Sequence, residues 1–110
     1  MWSVKEIDAS ELASWQDNEG EFRIIDVREM QEILTGTILG AEPMPLATIP
    51  TRLHEFETSE KLVLICRSGA RSAQACYFLQ QQGYPNVFNL RGGMLSWAAS
   101  RLPIALPRLD

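Results

Sequence analysis

The chain is poor in the residues from which metal centres and histidine-dependent sites are built. Among its 110 residues there is one histidine, His54, and there are two cysteines, Cys66 and Cys76. Three such side chains cannot complete a four-ligand Cys/His zinc site, and two cysteines are too few for a secreted disulfide framework. Long apolar runs are missing too: they stop at about four residues, against the roughly 20 needed to cross a bilayer. The first residues, Met1-Trp2-Ser3-Val4-Lys5-Glu6, have neither a basic start leading into an apolar stretch nor an Arg-rich amphipathic pattern. A cytoplasmic chain without membrane association is therefore expected, with its thiols reduced. Positive charge is in deficit: 10 Lys and Arg stand against 14 Asp and Glu, a net of −4, which argues against a nucleic-acid binder. The deficit is uneven. Residues 1–55 hold 11 acids and 4 bases, whereas residues 56–110 hold 3 acids and 6 bases, so the second half is the one suited to an anion.

What is present suffices for one folded unit. A chain of this length with 45% hydrophobic residues can bury a core without metal or disulfide staples. No repeat, low-complexity tract or linker divides it, and one domain over residues 1–101 with a C-terminal tail, 102–110, is expected. Asp8-Ala9-Ser10-Glu11 reads as a capping box opening a helix with Leu12 and Trp15 on one face. Phe22 to Val27 reads as a strand, Arg28 to Leu34 as a short helix ended by Gly36, and Ala41 to Met44 as a short strand. Ile49, Leu53 and Phe56 recur at helical spacing and predict an amphipathic helix from Leu46 to Glu57, with Pro50 near its first turn. Leu62-Val63-Leu64-Ile65 is the apolar run of a parallel strand covered on both faces. It is followed by a helix from about Arg71 to Gln82 closed by Gly83, a strand Val87-Phe88-Asn89-Leu90, and a last short helix after Gly92-Gly93. This alternation predicts an α/β sandwich with a mainly parallel sheet, in which ligands sit beyond the carboxyl ends of the strands.

Cys66 stands at such an end and opens Cys66-Arg67-Ser68-Gly69-Ala70-Arg71-Ser72. A cysteine between a strand and a helix N-terminus meets unpaired N–H groups and the positive end of the helix dipole, both of which favour the thiolate. Gly69 lets the backbone curl so that successive N–H groups face an anion. Such a thiolate needs no general base, which suits a chain with one histidine. Against this stands the plain reading of Cys66 as a small buried hydrophobe, which the Gly-bearing, doubly basic loop disfavours. That plain reading fits Cys76, on the apolar face of its helix with Leu79 at i+3. A Cys66–Cys76 disulfide is not expected, because about 9 Å of helical rise separates Cys76 from the loop.

These segments resemble the rhodanese family of sulfurtransferases, specifically its single-domain members, from about Ile24 to Trp97. Ile25-Asp26-Val27-Arg28-Glu29 looks like the family's strand-end motif. Gly36-Thr37-Ile38-Leu39-Gly40-Ala41 resembles its Gly-His-Ile-x-Gly-Ala segment, with Thr37 where the family usually has His, and Met44-Pro45-Leu46 follows as apolar-Pro-Leu. Cys66 to Ser72 matches the six-residue active-site loop with its trailing Ser. Tyr84, Val87, Leu90, Gly92-Gly93 and Trp97 fit the family's ending. The resemblance implies a rhodanese-like three-layer sandwich with a mainly parallel central sheet flanked by helices. It also implies transfer of sulfane sulfur, from thiosulfate or a persulfide, through a persulfide on Cys66. Acceptors would be cyanide or thiols such as glutathione, thioredoxin or a small sulfur-carrier protein, and no metal or organic cofactor is implied.

Physical reasoning assigns the remaining roles. The N–H groups of residues 67–71 would stabilise the persulfide anion, Arg67 and Arg71 would attract the donor's sulfonate, and Ser68 and Ser72 would donate hydroxyl hydrogen bonds inside the loop. Arg67 as a solvated charge and Arg71 as an ion pair holding the loop are the structural alternatives. Asp26 and Arg28 read mainly as an ion pair or loop tether on the same rim, Trp97 as core, and His54 as a surface residue. The departure at Thr37 touches a supporting hydrogen bond and leaves the nucleophile in place. A cysteine phosphatase of the cell-division-cycle type, similar in fold, would have five residues between Cys and Arg; here four intervene, a tighter ring suited to one sulfur atom. An arsenate reductase would want a second reactive thiol, which Cys76 is badly placed to supply. A non-catalytic interaction module would be signalled by loss of the cysteine, and Cys66 is intact. The apolar tail Leu102-Pro103-Ile104-Ala105-Leu106-Pro107 is expected to pack on the body rather than dock a partner.

Overall fold

The run Leu62-Val63-Leu64-Ile65 forms a strand buried on both faces, and the rest of the fold is arranged around it. A computed structural model of the protein describes residues 3–18 and 20–107. In chain order the elements are β1 (Lys5–Ile7), α1 (Ala9–Asn18), β2 (Arg23–Asp26), α2 (Met30–Ile33), β3 (Ala41–Pro43), β4 (Leu62–Ile65), α3 (Ala70–Gln81), β5 (Val87–Leu90) and α4 (Gly93–Ala99). Two 3-10 turns, Leu46–Thr51 and Leu53–Glu55, connect β3 to β4. The five strands form one sheet in the order β1-β5-β4-β2-β3, and every pair is parallel.

Side-chain alternation along β4 builds two cores. Leu62, Leu64 and Cys66 face one side with Ile49, Phe56, Ala75, Cys76 and Leu79, from the 3-10 turns and α3. Val63 and Ile65 face the other with Leu12, Met94 and Trp97, from α1 and α4. Helical layers thus cover both faces, which is why β4 can be apolar throughout. The strand order also marks the site. From β2 the chain moves to the β3 edge, and from β4 it moves the opposite way to β5, so the crevice at the carboxyl ends lies between β2 and β4. Asp26 ends one of these strands and Cys66 follows the other.

Local chemistry explains most boundaries. Asp8 and Glu11 form the reciprocal capping box, with the Glu11 N–H donating to Asp8 Oδ1 at 2.8 Å and the Asp8 N–H to Glu11 Oε1 at 3.2 Å. The helix expected over Leu46 to Glu57 is not continuous. Pro50 supplies no N–H and the backbone tightens into the two 3-10 turns, with the Arg52 N–H reaching the Ile49 carbonyl at 2.9 Å. Ile49 and Phe56 are still buried, so the apolar spacing marked core contacts rather than a helix. The edge strand β1 has no pattern to announce it, because of its three residues only Ile7 is buried. Beyond α4 the tail folds back. Thr37 and Ala105 exchange backbone hydrogen bonds of 2.7 and 2.8 Å, and the Trp97 indole donates to the Pro103 carbonyl at 2.8 Å. Residues 108–110 of the expected tail lie outside the described residues.

Candidate active site

The strand β4 ends where Cys66 begins a loop that closes on the first turn of α3. Gly69 is the residue before that helix and has φ +99°, a left-handed conformation that side chains disfavour. The curl it permits turns backbone donors inward. The Gly69 N–H lies 3.1 Å from Cys66 Sγ, the Ser72 N–H 3.4 Å and the Ser72 hydroxyl 3.3 Å. Burial pushes the Cys66 thiol up, but hydrogen bonds from the Ser72 hydroxyl and from the N–H groups of Ser72, Gly69 and Ser68 outweigh it, and the net direction is down. Cys76 shows what burial does without donors: its thiol is pushed up to about 12, by desolvation first and then by Glu6 and Cys66. Both cysteines are fully buried and free, so their surroundings, and not their exposure, separate them.

A second loop supports the first. The N-terminus of α4 docks on the segment after β4, with the Met94 N–H donating to the Cys66 carbonyl at 2.8 Å and the Leu95 N–H to the Arg67 carbonyl at 3.0 Å. Gly93 makes this approach possible, since a Cβ there would stand 2.4 Å from the Cys66 carbonyl oxygen and 2.6 Å from that of Arg67. Gly92-Gly93 is therefore a backbone contact to the cysteine loop.

The remaining predicted residues fall into separate groups. Arg67 is exposed and makes no ion pair among the described residues. Ser68 and Ala70 are exposed on the rim; Ser68 contributes its N–H to the sulfur, while its hydroxyl makes no hydrogen bond among the described residues, contrary to expectation. An exposed hydroxyl is solvated and is not drawn inward. Arg71 makes the ion pair that was its structural alternative: its guanidinium is held by Glu32 of α2 in two hydrogen bonds of 2.8 and 2.9 Å. The arginine side chain holds the Glu32 carboxyl down at about 2, and the Glu29 N–H adds to this. Glu32 also completes the cap of α2 through the Glu29 N–H at 3.0 Å.

Asp26 and Arg28 make no hydrogen bond to Cys66 among the described residues. They form a buried bidentate pair, with Arg28 Nη2 to Asp26 Oδ2 at 2.8 Å and Nε to Oδ1 at 3.0 Å. Arg28 also donates to the Gly36 carbonyl at 2.7 Å, and the Thr37 hydroxyl donates to Asp26 Oδ2 at 2.7 Å. Thr37 therefore supplies a hydrogen bond to Asp26, and the pair acts as a tether fixing the 36–37 turn to the end of β2. His54 is exposed on its 3-10 turn.

Two residues went unread in the sequence. Glu32 carried no signal apart from its place in an acidic first turn. Asn89, buried in β5, was visible as one amide in the run Val87-Phe88-Asn89-Leu90; it accepts from the Ser72 hydroxyl and donates to the Gly69 carbonyl at 3.1 Å.

Comparison with known proteins agrees with this geometry. Residues 8–100 match the model of the rhodanese-like domain. The chain is 43% identical over 104 residues to a sulfurtransferase of Allochromatium vinosum, covering 94% of this chain and 97% of that protein. It is 28% identical to a thiosulfate sulfurtransferase of Pseudoalteromonas translucida, covering 89% and 92% of the two chains. Among solved structures, a rhodanese-like domain protein of Staphylococcus aureus superposes with a TM-score of 0.86 at 30% identity, covering 96% of this chain and all of that one. With the parallel sheet, the cysteine loop after β4 and the family match spanning nearly the whole chain, the protein belongs to the rhodanese-like domain family.

Proposed function

We propose that the protein is a sulfurtransferase that moves sulfane sulfur from thiosulfate or a persulfide donor to a thiol or cyanide through a persulfide on Cys66. The observation that carries this reading is the set of donors converging on Cys66 Sγ, the hydroxyl and N–H of Ser72 with the N–H of Gly69. Such a ring stabilises a charged sulfur and has no need of a base. The relatives named above support sulfur transfer as the class of reaction.

In the first step the Cys66 thiolate attacks the outer sulfur of thiosulfate. A sulfur–sulfur bond forms, the bond to the sulfonate sulfur breaks, and its electron pair leaves with sulfite. The enzyme then holds a persulfide anion whose charge the same N–H groups face. In the second step an acceptor thiolate or cyanide attacks the terminal sulfur, and the electron pair of the breaking bond returns to Cys66. No external oxidant or reductant enters. Arg67, exposed and without an ion pair among the described residues, would meet the sulfonate. Arg71 contributes field at the sulfur while Glu32 holds it in place. A soluble thiol such as glutathione, thioredoxin or a small sulfur-carrier protein would act as acceptor.

Incubation with thiosulfate followed by intact mass measurement tests the reading. The protein should gain one sulfur that cyanide removes. Cys66→Ser should abolish the gain and Cys76→Ser should keep it. No gain in the unmodified protein, with turnover of an aryl phosphate, would replace sulfur transfer by phosphatase chemistry.

A further inference from the structure

The hydroxyl of Ser72 has one hydrogen and two acceptors. Cys66 Sγ lies 3.3 Å from its oxygen, and Asn89 Oδ1 lies within hydrogen-bond distance on the other side. The orientation of the Asn89 amide follows from its other neighbours. Its nitrogen faces Glu6 Oε2 at 3.0 Å and the Gly69 carbonyl at 3.1 Å, both acceptors, so the amide nitrogen must point to them and its oxygen to Ser72. Glu6 on β1 pairs in register with Asn89 on β5, so the sheet itself fixes this contact. Asn89 is 1% exposed and Ser72 fully buried, so both groups are shielded from bulk solvent and a lost partner costs the desolvation of the group left behind.

Two arrangements of the hydroxyl hydrogen follow. With Cys66 as a thiol, its S–H donates to the Ser72 oxygen while the Ser72 hydroxyl donates to Asn89. With Cys66 as a thiolate, the charged sulfur is the stronger acceptor and draws the hydroxyl hydrogen, leaving Asn89 Oδ1 without its donor. We propose that Asn89 is a positioning residue for the reaction at Cys66: by competing for the Ser72 hydroxyl hydrogen it makes Ser72 a two-position switch, set to Asn89 beside the thiol and to sulfur beside the thiolate. The proposal deepens the sulfur-transfer reading and rests on Cys66 being the reacting sulfur. It assigns the amide a cost: Asn89 favours the thiol form and tempers the ionisation that the loop promotes.

Other charged groups around the sulfur are Arg71 on α3, with Glu32 of α2 beyond it, Arg67 on the loop, the Asp26–Arg28 pair at the end of β2, and Glu6 behind Asn89. Cys76 on α3 faces the same region as a neutral thiol.

A double-mutant cycle on Cys66 ionisation separates switching from mere packing. The pH midpoint of Cys66 alkylation by iodoacetamide is measured in a Cys76→Ser background, with thermal melting as the control for folding. Ser72→Ala should raise the midpoint by about one pH unit, the worth of one hydrogen bond to a charged group. Asn89→Ala should lower it by about half a unit while Ser72 is present, and should leave it unmoved once residue 72 is alanine. An equal shift in both backgrounds, or no shift in either, overturns the proposal. Should Asn89→Ala fail to fold, the Asn89 side-chain amide is followed by NMR across the Cys66 midpoint. Its response should fall at least about twofold in Ser72→Ala, and a response of the same size in both proteins overturns the proposal. Alkylation uses no sulfur donor, so a failed cycle leaves the persulfide assay standing, and a failed persulfide assay leaves the cycle readable.

Discussion

Cys66 and Cys76 are both fully buried, yet one thiol moves down and the other up to about 12. The difference lies in donors, because a buried thiolate surrounded by N–H groups is repaid for desolvation and one among apolar side chains is not. Glu32 and Arg71 show the same logic on the rim. The Glu32 carboxyl is depressed from 4.5 to about 2, so its stabilising effect is present above pH 4.5 and is lost as pH falls through about 2. The pair is about one-third exposed on each side, which limits its worth to about 1 kcal/mol. Glu32→Gln should therefore be less stable than the parent by about that amount at pH 7, and the gap should have closed about one pH unit below that midpoint, near pH 1, as read by urea unfolding at both. A gap that persists there would show that Glu32 acts through packing. Cys66, the basic loop and the Ser after it were legible as residues. Glu32 and Asn89 were not, since a carboxylate and an amide in ordinary helix and strand positions acquire roles only from what they meet.

At the scale of elements, the site is a meeting of backbone segments. The loop after β4 and the start of α4 touch through main-chain hydrogen bonds, and Gly93 is the close-approach residue. Gly93→Ala would drive a Cβ into two carbonyl oxygens, whereas Gly40→Ala would meet nothing within 4 Å although Gly40 also has positive φ, +86°. The second substitution isolates the backbone strain, about 1 kcal/mol. Gly93→Ala should cost at least about 2 kcal/mol more than that in urea unfolding and should lower persulfide loading, and equal costs would remove Gly93 from the site's support. The Gly-Gly pair was readable in the sequence as a motif, but its partner was not, because the contact joins the loop after β4 to the start of α4, brought together by the sheet order. The helix read into Leu46 to Glu57 failed for a local reason: apolar spacing records which side chains face the core, and Pro50 decides the hydrogen bonding between them.

For the whole molecule, the net charge of −4 opposes an anionic donor while the site presents Arg67. Screening tells the two apart. If local attraction governs capture, thiosulfate kcat/KM should fall several-fold between about 10 mM and about 0.5 M salt, over which the Debye length shrinks from about 30 Å to a few ångströms. In Arg67→Ala the slope should flatten or reverse, because the repulsion of the acidic chain is then what salt screens. Identical slopes in both proteins would take Arg67 out of donor recognition.

The amino-acid sequence by itself determined the alternation of strands and helices, the two-faced burial of Leu62 to Ile65, and the cysteine loop with its glycine. Those are local properties: period, turn chemistry and the order of motifs along the chain. Only the tertiary structure decided which donors face Cys66 Sγ, that Arg71 is held by Glu32, that Asp26 and Arg28 tether the turn at Thr37, and that Asn89 stands behind Ser72. Apart from the loop's own bonds to Cys66, these contacts join residues from different elements. Their distances are set by the parallel sheet, with β2 and β5 flanking β4, and a hydrogen bond exists only where that packing brings donor and acceptor within about 3 Å.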